Sequence, residues 1–139
     1  IGHRPDGTPK DTLRNLRNTK KCVISIVDEA HFEAMHLSSK DLGPSESEAE
    51  AFEIPTRKVL DGYPPMPEGI KVAFFCDYLQ EVELQNSKTI PVIVEITHLY
   101  LDERIITDKE KIDIACDAIA RVGRGYATLD HSLETPLIP

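Results

Sequence analysis

The chain has 139 residues, 40% of them hydrophobic, which is enough for one core and too few to expect two domains, so a single domain over 1–139 is expected. Its formal net charge of −8 argues against a general nucleic-acid binder, because phosphate backbones require a clustered basic face. No apolar run approaches the roughly 20 residues that cross a bilayer, and Ile1-Gly2-His3-Arg4 is no signal peptide, so a soluble cytoplasmic protein with no membrane partner is expected.

In chain order, Thr8-Pro9 is a helix-entry signal, since Pro fits the first helical position and a Thr hydroxyl can accept an orphan amide just before it. Asp11 follows at capping-box spacing; alternatively Asp11 is itself the cap and the helix runs from Thr12 to about Thr19. Either start gathers free amides, the positive dipole end, the Lys10 ammonium and the Thr12 hydroxyl into one small region, an anion site. Residues 1–21 hold six Lys or Arg against two Asp, whereas the rest hold ten against twenty-two acidic residues, so the basic patch stands out. Arg4 precedes the helix within reach of the same anion.

Cys22 to Val27 is a β-branched run typical of a buried strand. Asp28 can cap a helix from Glu29 to about Leu37, ended by Ser38 and Ser39. After the Gly43-Pro44 break, an acidic run reads as a solvated face with one short helix in Glu48-Ala49-Glu50-Ala51-Phe52. Residues 54–69, with four prolines, read as an irregular connection. Ile70–Leu84 and Ile90–Leu101 form an antiparallel hairpin of long strands. Alternation places Glu95 and His98 on opposite faces of the second strand, which excludes a shared metal site there. Asp108 opens a last helix with Ile112, Ala115, Ile119 and Val122 at helical spacing, stopped by Gly123 and Gly125. Few βαβ units and this mixed order fit a mainly β fold, an antiparallel barrel with peripheral helices.

Two stretches carry a family resemblance. Gly7-Thr8-Pro9-Lys10-Asp11-Thr12-Leu13-Arg14-Asn15-Leu16, then Thr19 and the apolar Cys22–Val27, resembles the flavin reductase-like FMN-binding proteins of split-barrel fold, a group that includes flavoredoxins. Arg121-Val122-Gly123-Arg124-Gly125-Tyr126-Ala127-Thr128-Leu129 is similar to a second segment of that family, with Gly123-Arg124-Gly125 in place of its adjacent glycines. The resemblance implies an antiparallel split β-barrel, with opening strands that precede the Lys-Asp-Thr motif and are missing here. It implies FMN held non-covalently, its phosphate near Lys10, Asp11 and Thr12, with Arg4 as a fourth contact. Lys10 would supply charge, Thr12 a hydroxyl, and Asp11 chiefly its backbone N–H. It further implies that the Gly123–Tyr126 turn approaches the cofactor across a homodimer interface, Tyr126 stacking on a ring and Arg124 meeting a phosphate or a nicotinamide nucleotide.

Other chemistries lack support. There is no Gly-x-Ser-x-Gly elbow, no His-Glu-x-x-His and no Gly-x-Gly-x-x-Gly after a strand, so a triad hydrolase, a zinc site and a Rossmann domain are disfavoured. Cys22, Cys76 and Cys116 are scattered and read as reduced, mostly buried thiols. The expectation is therefore an NAD(P)H-dependent flavin oxidoreductase with small-molecule electron donor and acceptor. No side-chain acid or base is required, so no catalytic residue is named; a non-catalytic flavin-binding or protein-interaction module on the same barrel is the alternative.

Overall fold

A computed structural model of the protein describes residues 1–43 and 45–129; Pro44, part of the expected break, and His131 lie outside the described residues. Helix α1 (Asp11–Thr19) is held down by Leu13 and Leu16, which are three apart, share a face and are buried. Lys20, left-handed at φ 59°, ends the helix by donating its amide to the Leu16 carbonyl. The chain passes directly into β1 (Lys21–Ile26), the strand expected there.

Asp28 caps the next segment as its type predicts. Its carboxylate accepts the His31 amide at 3.2 Å, starting a 3₁₀ turn (Glu29–His31) that runs into α2 (Phe32–Leu37). Ser47 does the same for α3 (Glu48–Ala51). The Pro-rich connection contains one small ladder, in which β2 (Thr56–Arg57) pairs antiparallel with β3 (Met66–Pro67) and places Met66 in the core.

The expected hairpin forms as β4 (Val72–Glu81) and β5 (Val92–Leu101), and β1 adds antiparallel to the other side of β4. One sheet face carries Val23, Ala73, Phe75 and Tyr100 against Tyr63, Met66 and Ile70, the principal core cluster. The other face carries Ile24, Phe74 and Leu99 in one row and Cys22, Cys76 and Ile96 in the next. Ile24, Ile96 and Leu99 there are 44%, 57% and 50% exposed, so that apolar face is half open.

Two bulges interrupt the β4–β5 ladder. Thr97 is skipped where pairing passes from Phe75–His98 to Cys76–Ile96, and Leu79 is skipped between the Tyr78 and Gln80 pairings. The first corrects the alternation expected of β5: Glu95 opposes Asp77 and His98 opposes Phe75, so both project from the same face. Thr97 is fixed by its hydroxyl, 2.6 Å from the Tyr63 hydroxyl and 3.1 Å from the Phe75 carbonyl. Among the described residues no group of three His, Cys, Asp or Glu is placed to hold a metal ion.

The helix expected from Asp108 to Val122 does not form. After a 3₁₀ turn (Glu103–Ile105), β6 (Ile106–Asp108) pairs with β7 (Asp113–Ile114), and β8 (Ile119–Val122) pairs with β9 (Gly125–Thr128). The Asp108 carboxylate accepts the amides of Glu110 and Lys111 in a turn, and Ile112 is left-handed at φ 57°, which stops helical propagation. β-branched Ile114, Ile119 and Val122 favour extended backbone. The segment is also drawn into the body, where the Ile119 amide donates to the Val27 carbonyl and Ala118 bridges Asp28. Gly123 at φ 57° is the first central residue of the β8–β9 turn, not a helix cap. The architecture is mainly β with peripheral helices, and among the described residues no helix is long and apolar enough to cross a membrane.

Candidate functional site

The expected cap of α1 is replaced by a folded turn. The Asp6 carboxylate takes both the amide and the hydroxyl of Thr8, at 2.9 and 2.7 Å, so Thr8 does not cap the helix. Lys10 stands at the N-cap position with no side-chain cap bond, which leaves the first-turn amides without a partner from a capping side chain. Asp11 is not the cap either. Its carboxylate is gripped by the Arg4 and Arg14 guanidinium groups. The Arg4 hydrogen bond holds Asp11 below the usual carboxylate range, with burial opposing and Arg14 assisting. Arg4 also donates to the Pro9 carbonyl at 3.2 Å, so its charge fixes the turn that delivers Lys10 and Thr12.

Arg4, Lys10, Asp11 and Thr12 are brought together around one polar cleft of about 190 Å³. Ser38, Ser39, Lys40, Asp41 and Glu48 complete its wall, delivered by the end of α2 and the start of α3. With Arg4 committed to Asp11, Lys10 and Lys40 are the other basic residues among the described residues that line it, alongside the acidic Asp41 and Glu48. The contribution from Ser38 to Glu48 had no local signal in the sequence, because it arises only from packing across the fold.

Thr12 and Glu48 also line a second, larger groove of about 840 Å³. Its walls are Asn15, Leu16 and Thr19 of α1, Lys21 to Ile24 of β1, Pro64 and Pro65, and Val92 and Val94 of β5. A polar cleft thus adjoins, at Thr12 and Glu48, a mainly apolar groove in the size range of small-molecule sites. Asn15 is a groove-wall residue whose carbonyl accepts the Thr19 hydroxyl.

The second predicted cluster lies elsewhere. Tyr126, on β9, meets Phe32 and His36 of α2 edge-on at ring centroid distances of 5.0 and 6.2 Å, and Arg121 donates to its hydroxyl at 2.6 Å. It borders a shallow cleft with Glu29, Phe32, Ile119, Ala127 and Thr128. Arg124 is exposed at the hairpin tip. Tyr126 therefore packs as an aromatic on α2, and neither residue lines the cleft or the groove at α1.

Known proteins resemble the chain in sequence and in fold. An uncharacterised protein of Deinococcus radiodurans is 32% identical, over 96% of this chain and 59% of its own. The chain spans about three fifths of the length of the curated relatives it matches along most of its own length. The 2-nitrobenzoate 2-nitroreductase NbaA of Pseudomonas fluorescens superposes with a TM-score of 0.79 at 26% identity, over 93% of this chain and 65% of that one. A split-barrel-domain protein of Shewanella frigidimarina assigned as a flavin reductase gives 0.79 at 22%, over 99% and 75%. The flavoredoxin of Desulfovibrio vulgaris gives 0.70 at 19%, over 89% and 67%. These last two likenesses concern the fold, which matches split-barrel structures. The family model of the flavin reductase like domain matches residues 7–112, so the chain belongs to the flavin reductase-like domain family.

Proposed function

We propose that the protein binds FMN and acts as an NAD(P)H-dependent flavin oxidoreductase. The observation that carries this is the polar cleft at the start of α1 adjoining, at Thr12, the larger apolar groove, in a chain of the flavin reductase-like family. The residues fit such a cofactor: a phosphate needs donors and positive charge, and a flat ring system needs an apolar wall. Lys10 supplies the charge, Thr12 its hydroxyl, and Asp11 and Thr12 their backbone N–H groups, at a helix end that no side chain caps. The Asp11 carboxylate would repel a phosphate, and its engagement by Arg4 and Arg14 offsets that charge. Arg4 serves as a positioning residue for the turn. Leu16, Val92 and Val94 offer apolar surface for the ring system and exclude water beside it.

The chemistry that bound FMN supplies is hydride acceptance from NAD(P)H and onward electron transfer, and no side chain here needs to act as acid or base. Arg124, exposed at the β8–β9 tip, would meet a nucleotide phosphate, with Tyr126 holding that hairpin on α2. A homodimer in the cytoplasm is part of the same proposal, and the exposed apolar Ile96 and Leu99, outside the groove, support the dimer.

The test is the absorption spectrum of the full chain after incubation with FMN and removal of the excess. Bound flavin is expected in wild type, with at least about tenfold weaker binding in Lys10→Ala and Thr12→Ala, the loss that one charge-assisted contact accounts for. Wild type that retains no FMN refutes the proposal. FMN retained without NADH or NADPH oxidation favours the non-catalytic flavin-binding module.

A further inference from the structure

We propose that Cys22 and Cys76 are a reversible dithiol–disulfide pair in the wall of the apolar groove, oxidised by low-molecular-weight disulfides. The two residues are direct cross-strand partners in the β1–β4 ladder, so their side chains leave the same face of the sheet. Opposed residues of an antiparallel pair hold their Cα atoms roughly 4.5 or 5.5 Å apart, and both distances lie inside the disulfide window of about 4.4–6.8 Å. Both cysteines are free thiols. Cys22 is partly exposed and lines the groove, whereas Cys76 is fully buried behind it, with its thiol 3.6 Å from the Phe74 carbonyl. A small molecule in the groove therefore meets Cys22 first.

The exchange balances with one oxidant. The Cys22 thiolate attacks a sulfur of the small disulfide, whose S–S bond breaks and whose other half leaves as a thiol. Cys76, giving up its proton, then attacks the Cys22 sulfur of the mixed disulfide and releases the second thiol. Two protein thiols are oxidised by two electrons, and one small disulfide is reduced to two thiols that carry off both protons. Burial, and then the neighbouring Cys76, push the Cys22 thiol up to about 11, so the attacking thiolate is scarce near neutral pH and the pair responds to sustained exposure. None of this chemistry needs flavin.

The experiment incubates the full chain with excess 2-hydroxyethyl disulfide, quenches in acid, unfolds the protein, alkylates the remaining thiols and maps the peptides by mass. The expected result is a Cys22–Cys76 cross-linked peptide pair about 2 Da lighter than the two thiol peptides, alkylation at Cys116 alone, and three alkylated cysteines after dithiothreitol. In Cys76→Ser the hydroxyethyl adduct should persist on Cys22, and in Cys22→Ser residue Cys76 should remain alkylatable. Three alkylated cysteines in treated wild type, a lasting adduct on Cys22, or a bond from Cys22 to Cys116 or to a second chain would each overturn the proposal.

Discussion

Gly69→Ala tests the packing that joins the start of β4 to the 3₁₀ turn. Gly69 adopts φ +80°, and a Cβ there would lie 2.8 Å from His31 Nε2 and 3.1 Å from its Cε1. The imidazole cannot swing aside without loss, because Nδ1 lies 2.5 Å from the Asp28 carboxylate and Nε2 lies 2.9 Å from the Glu68 carbonyl. The left-handed backbone costs an alanine about 1–2 kcal/mol, and surrendering the Glu68 contact costs about 1 kcal/mol more. The sum, about 2–3 kcal/mol, lowers the midpoint of thermal unfolding by roughly 7–10 °C for a chain of this size. A double-mutant cycle with His31→Ala separates the two contributions, since without the ring only the backbone cost should remain and about 1 kcal/mol of coupling should appear. Urea unfolding of the four proteins measures it. Equal costs of Gly69→Ala in both backgrounds would refute the clash, and a cost near zero in wild type would refute the backbone cost as well.

Two further outcomes are expected. The Arg17 guanidinium, donating to both Glu81 oxygens at 2.8 and 2.7 Å, holds that carboxyl down at about 2 against the opposing effect of burial. A depressed carboxyl stabilises fully above its unfolded value, so the contribution, below about 1 kcal/mol for so solvent-shared a pair, should fade as pH falls from about 5 to 2. Urea midpoints of wild type and Glu81→Gln should converge over that range, and a constant gap would show that the ion pair is not its source. Tyr63→Phe removes a buried hydroxyl that donates to Asp77 at 2.6 Å and lies 2.6 Å from Thr97; a loss of about 1–2 kcal/mol in urea is expected. A change of less than about 0.3 kcal/mol would mean that water replaces these contacts.

Where sequence and structure agree, the signal is local and strong. Cys22 to Val27 and the run that became β5 are rich in β-branched residues, the run that became β4 opens on the apolar stretch Val72 to Cys76, and Asp28 caps because its carboxylate needs only an amide three residues away. The gathering of Lys10, Asp11 and Thr12 was legible for the same reason, since one helix turn holds all three. Thr8 failed as a cap because Asp6, two residues earlier, competes for its hydroxyl and amide. The stretch from Asp108 to Val122 misled because isoleucines at helical spacing are still β-branched, and the pairing of Ala118 and Ile119 with the segment after β1 lies some ninety residues back. The far wall of the cleft, Ser38 to Glu48, depends on how α2 and α3 dock, and no spacing encodes that.

The extra residue at Thr97 divides β5 into two half-strands that are out of phase. Upstream of it, Val94 and Ile96 take the half-open side and Glu95 the side of Asp77; downstream, His98 and Tyr100 take the side of the core cluster. Deleting that one threonine would act as a frameshift written in side chains, sending one half of the strand to the wrong solvent while every residue identity stayed the same. Substitution at Thr97 costs a hydroxyl, but loss of the position would cost the sheet its pattern, so length at this point of the chain is more strictly fixed than chemistry.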